Sequence, residues 1–142
     1  MPDMTNANSL KRFLDAQARD YLIALAEIEA GKKRSHWMWY IFPQIAGLGY
    51  SEMAERFAIK DLPEAIAYLG HPVLGERLIR ISEALLNLPG SNAYLVMGSP
   101  DDLKLRSSMT LFAQIPGSDP VFAAVLKKYF QGEPDRATLQ LL

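Results

Sequence analysis

The sequence predicts an all-α protein: a compact single-domain array of about seven or eight short helices with no significant sheet. Three observations predict it. Helix start and stop signals recur about every fifteen residues. The apolar residues between those signals follow the three-and-four spacing of a helix face. Alternating apolar and polar runs bounded by turns, the mark of half-buried strands, are scarce.

Residues 1–8 read as a loose leader and 9–142 as the helical domain. Ser9 stands as an N-cap before Leu10, Phe13, Leu14, Tyr21, Leu22, Leu25 and Ile28, with Gly31 as the stop. The pattern drifts between Gln17 and Arg19, which leaves one helix or two. Residues 36–42 form an apolar run that periodicity alone cannot assign. Ser35 as a cap and the absence of a partner strand favour a helix, with apolar residues all round it and hence full burial. Ser51 caps a helix over Glu52 to Phe57. Asp61-Leu62-Pro63-Glu64 resembles a capping box. His71-Pro72 starts a helix that puts Leu74, Leu78, Ile81, Leu85 and Leu86 on one face and ends before Pro89-Gly90. Ser99-Pro100-Asp101-Asp102 opens the next, with two acids where the helix dipole favours them. It stops before Pro116-Gly117. Asp119-Pro120 begins another, through Phe130 to a stop at Gly132, and Asp135 caps a last short turn or two.

The 142 residues are the size of one domain, long enough to bury roughly 70% of the unfolded surface without a staple. There is no cysteine, which removes disulfides, thiolate metal sites and a cysteine nucleophile together. A net charge of −1 gives no strong nucleic-acid signal. The first nine residues lack the apolar core of a signal peptide, and no run approaches the ~20 apolar residues of a membrane span. A soluble, cytoplasmic protein without a membrane partner is expected. Composition is silent on oligomeric state.

The most distinctive stretch is Ser35-His36-Trp37-Met38-Trp39-Tyr40-Ile41-Phe42-Pro43-Gln44. It carries both tryptophans of the chain, follows the basic run Lys32-Lys33-Arg34, and precedes Gly47-Leu48-Gly49. Together with Ser51 it is similar to the signature of a bacterial family known as domain of unknown function 1810. Tyr68-Leu69-Gly70-His71-Pro72-Val73-Leu74 also matches, as does Asp102-Leu103-Lys104-Leu105 leading into Ser107-Ser108-Met109-Thr110-Leu111-Phe112. The resemblance runs from about Leu10 to Asp135 and implies a mainly helical single domain. It carries no established activity. Members are often labelled calpastatin in genome listings, but the known calpain inhibitor is disordered, whereas this sequence is patterned to form a core.

The candidate site residues fall in two clusters. In the first, Trp37 and Trp39 offer indole faces that stack on flat or cationic rings. His36 and Gln44 flank them as polar groups, and the basic run before them suits phosphates. The competing reading is a buried aromatic helix with a solvated basic turn. Gln44 offers both donor and acceptor, to a ligand or to the glycine loop. Gly47-Leu48-Gly49 lacks the ending of a phosphate loop. Ser51 either helps hold an anion or only caps a helix. The second cluster is Lys104, Ser107, Ser108 and Thr110, of which the first three share one helix face. Lysine beside serine is the skeleton of a Ser-Lys hydrolase, but the Ser-x-x-Lys order is absent, and Lys104 pairing with Asp101 explains it as well. His71 is an N-cap or a partner for His36. No His-Glu-x-x-His pattern supports a metal, and the sequence leaves any cofactor unknown. The catalytic residues, if any, are not identifiable.

These features point to a domain binding a small, flat, anionic ligand of nucleotide type in one pocket. His36, Gln44 and the Lys104/Ser107/Ser108 face should converge there. An enzyme using a histidine general base on such a ligand is the first alternative. A protein–protein interaction module is the second.

Overall fold

A computed structural model describes residues 4–142, with side chains from Leu10 onward. Among these residues there are nine helices: α1 (Met4–Glu29), α2 (Met38–Ile41), α3 (Glu52–Arg56), α4 (Leu62–Gly70), α5 (Leu74–Leu86), α6 (Ala93–Met97), α7 (Asp101–Ala113), α8 (Val121–Phe130) and α9 (Arg136–Gln140). No strand occurs in the described residues; one isolated parallel bridge joins Ile45 and Ile59. The all-α expectation holds.

α1 is one helix, not two, and it begins before Ser9, which therefore lies inside it rather than capping it. No glycine or proline interrupts Met4 to Ser9, so nothing forces a start at Ser9. The drift in its pattern has a cause at Gln17. This side chain is 2% exposed, and its Nε2 donates to Tyr40 O at 2.8 Å and Tyr68 Oη at 2.9 Å. A polar residue occupies a core position because two acceptors from other elements meet it there.

α1 packs on α2, α4 and α5; α8 packs on both α5 and α7; α6 and α9 lie against α7. Phe57, Phe13, Tyr68, Phe112 and Phe122 link these layers, with successive ring centroids 5.0 to 5.9 Å apart. α4 and α5 approach so closely at Gly75 that an added Cβ would sit 1.9 Å from the Leu69 carbonyl oxygen.

Several helix starts follow the sequence signals. Ser51 Oγ accepts from Ala54 N at 3.1 Å, Asp61 Oδ1 from Glu64 N at 2.9 Å, and Asp135 Oδ2 from Thr138 N at 3.1 Å. Three starts differ. Glu64 reaches back to Lys60 N, at 2.9 Å, one residue beyond the reciprocal capping-box partner. Ser99 makes no cap; Pro100 takes the cap position of α7, and Asp102 Oδ1 accepts from its neighbour Leu103 N at 2.9 Å. Ser35 is no cap either, because α2 starts at Met38 with Trp37 before it. Its hydroxyl is drawn instead to Glu27. α6, for which the sequence gives no expectation, is capped by Asn92 Oδ1 accepting from Tyr94 N and Leu95 N.

Candidate ligand cavity

The 35–44 motif is shaped by one carboxylate on α1. Glu27 Oε1 accepts from Arg34 N at 2.7 Å, Ser35 N at 3.0 Å and Trp37 Nε1 at 2.9 Å, and Oε2 accepts from Ser35 Oγ. Burial pushes this carboxyl up, but the Ser35 hydroxyl, the two backbone amides and the indole outweigh it and hold the group down at about 2. Trp37, 1% exposed, is thereby locked into the core. The next odd residue, Trp39, points elsewhere and is half-buried. The motif thus divides its two indoles, Trp37 at the entrance of α2 to the core and Trp39 within it to a cavity.

That cavity, about 370 Å³, lies between the 38–58 segment and the first turns of α7. Met38, Phe42, Ile45 and Phe57 give it an apolar floor, and Trp39 walls one side. Ser51, Gln44, Lys104, Ser107 and Asp135 are its polar points. One oxygen of the Asp135 carboxylate takes all of its hydrogen bonds. Its Oδ2 accepts from Ser107 Oγ at 3.1 Å, Thr138 N at 3.1 Å and Thr138 Oγ1 at 2.5 Å. The Gln44 side-chain amide makes no hydrogen bond to any described residue. The Lys104 ammonium lies 5.3 Å from the Trp39 ring centroid and 3.6 Å from Asp101 Oδ1.

Of the residues singled out in the sequence, the structure brings Trp39, Gln44, Ser51, Lys104 and Ser107 to this cavity. The others lie elsewhere. His36 is exposed and does not border the cavity. Trp37 belongs to the core. His71 Nδ1 accepts from Val73 N at 3.1 Å and Leu74 N at 3.3 Å, which is the capping role. Thr110 Oγ1 donates to Arg106 O at 2.8 Å and accepts from Asp135 N at 2.9 Å. Ser108 is fully buried, and its hydroxyl has no partner among the described residues. The convergence expected of His36, Gln44 and the lysine face therefore holds for Gln44, Lys104 and Ser107, and not for His36 or Ser108. Glu27, which fixes the motif, is the residue the sequence reading missed. A buried indole N–H needs an acceptor, and an acid on the preceding helix was the available signal.

No group of three or more histidine, aspartate or glutamate side chains among the described residues is arranged to hold a metal. No helix among them is long and apolar enough to cross a membrane.

The family model described as "Protein of unknown function (DUF1810)" matches residues 7–142. The chain belongs to this family. A similar solved structure is the conserved hypothetical protein Rv1873 from Mycobacterium tuberculosis, 48% identical, with a TM-score of 0.91 over 94% of this chain and 95% of that one. At that identity the fold is common to both. No curated protein matches the chain.

Proposed function

We propose that this protein is a binding domain for a small, flat, anionic ligand of nucleotide type, held in the cavity between the 38–58 segment and α7. The observation that carries the reading is Gln44, a half-buried amide facing an apolar cavity with no hydrogen-bond partner. No described group of the protein occupies this amide, so both its donor and its acceptor remain open to a ligand edge in exchange for water. Trp39 supplies a face on which a planar ring stacks, and Lys104 supplies positive charge beside it. The volume, about 370 Å³, suits a small molecule.

The alternative of an enzyme with a histidine base has less support, because neither His36 nor His71 borders the cavity. One observation favours an interaction module instead: Tyr50, 81% exposed, and Leu103, 58% exposed, both border the cavity.

Native mass spectrometry of freshly isolated protein tests for a retained ligand. Thermal unfolding with nucleoside mono- and diphosphates tests the class directly, since a ligand at about a hundred times its Kd adds about 2.7 kcal/mol. Gln44→Leu and Lys104→Ala should keep the fold and abolish that stabilisation. No retained mass and no stabilisation by any nucleotide would refute the proposal.

A further inference from the structure

Both tryptophans of the motif carry a lysine over the ring, and one aspartate stands between the two lysines. Lys33 Nζ is 4.9 Å from the Trp37 ring centroid, accepted by Ser35 O at 2.5 Å and by Asp101 Oδ2 at 2.9 Å. Its side chain is only 7% exposed. Lys104, on the cavity side, reaches the other oxygen of the same carboxylate at the longer distance of 3.6 Å. A carboxylate held at 2.9 Å by a buried ammonium is already neutralised, so little attraction is left for a second cation. The three groups together carry one net positive charge, and that charge sits on Lys104 beside Trp39.

We infer that Lys33 is a specificity-determining residue for the cavity: by satisfying Asp101 from inside the fold, it leaves the Lys104 ammonium available to an anion on the ligand. The inference rests on the cavity being a ligand site. It assigns a role to the basic run before the aromatic motif: Lys33 turns inward as a counter-ion, while Lys32 and Arg34 stay exposed. Without Lys33, Asp101 has one cation left to pair with. The Lys104 contact would close, and the ammonium beside Trp39 would be neutralised by Asp101. Opposite charges in direct contact at a half-buried site interact strongly enough to compete with an incoming anion.

The test uses two fluorescent probes of similar shape, anilinonaphthalene sulfonate (ANS), which is an aromatic anion, and phenylnaphthylamine, which lacks the charge. Lys33→Met should weaken ANS binding about tenfold and leave phenylnaphthylamine binding unchanged. The double variant Lys33→Met with Asp101→Asn restores one net positive charge on Lys104 and should return ANS to within about twofold of its native affinity. Should Lys33→Met alone fail to fold, Asp101→Asn gives the same answer with the opposite sign: ANS should bind more tightly than to the native protein. Lys104→Ala separates the two ideas. If it leaves ANS binding unchanged, the cavity reading and this inference fall together. If it weakens ANS while Lys33→Met and Asp101→Asn do not move it, only the role of Lys33 is overturned.

Discussion

Glu27 holds the 34–37 turn through four donors, so its protonation should loosen that turn in a defined pH window. The carboxyl sits at about 2 in the folded chain, against an ordinary 4.5. A group whose folded value is depressed contributes stability that is fully present above the unfolded value and is lost as pH falls through the folded one. The window therefore runs from about pH 5 down to about pH 2. Each unit of displacement is worth about 1.4 kcal/mol, and the half-buried position of Glu27 leaves part of that screened by solvent. About 2 kcal/mol is the expected contribution at neutral pH. Urea unfolding of the native protein and Glu27→Gln, followed at a series of pH values, measures it. The variant should be less stable by about that amount at pH 7, and the two curves should converge towards pH 2. The indole of Trp37 loses its carboxylate acceptor in the variant, so emission from this ring reports the same event. Parallel stability profiles with a constant offset across the window would refute the argument, because the deficit would then owe nothing to the charge of Glu27.

The two tryptophans should behave differently. Trp37→Ala, at a fully buried site, should cost about 3–5 kcal/mol, while Trp39→Ala should cost clearly less and remove the cavity wall, as denaturant titrations and iodide quenching of the remaining indole will show. Gly75→Ala should destabilise by about 3 kcal/mol or more, measured by thermal unfolding, because its Cβ would meet the Leu69 carbonyl oxygen at 1.9 Å; a near-native melting temperature would mean that α4 and α5 are free to separate.

Much of the fold was legible because helix ends are written in local chemistry. Ser51, Asp61, Asn92 and Asp135 all cap through their own side chains, and three of the four were read correctly. α6 escaped because Ala93–Met97 is five residues long, too short to establish a period. It sits between Pro89-Gly90 and Gly98, which read as punctuation. Gln17 looked like a break because periodicity takes polar residues as surface, whereas here the acceptors that bury it come from Tyr40 and Tyr68, far away in sequence. The cavity was half legible for a related reason. Trp39, Gln44, Lys104 and Ser107 stand out as residues whose type conflicts with an apolar setting. His36 and Ser108 stand out equally, and only the direction in which each side chain leaves the backbone separates them. The pairing of Lys33 with Asp101 crosses nearly half of the chain, and no local pattern encodes it.

The excursion from residue 46 to residue 58 has a consequence for how the cavity opens. α3, at its tip, has no buried residue. Its base is pinned: Ala46 N donates to Ile59 O and Ile59 N to Gln44 O, both at 2.8 Å, and Arg12 from α1 grips Arg56 O at 2.8 Å and Ala58 O at 2.7 Å. A segment held firmly at its root and loosely along its length opens as a unit, without the core. Amide hydrogens of α3 will exchange through that local opening, while those of Ala46 and Ile59 wait for the whole domain to unfold. Entry to the Trp39 face is thereby uncoupled from global stability, and the timescale of access becomes a property of the segment from residue 46 to residue 56, none of which is fully buried, rather than of the protein.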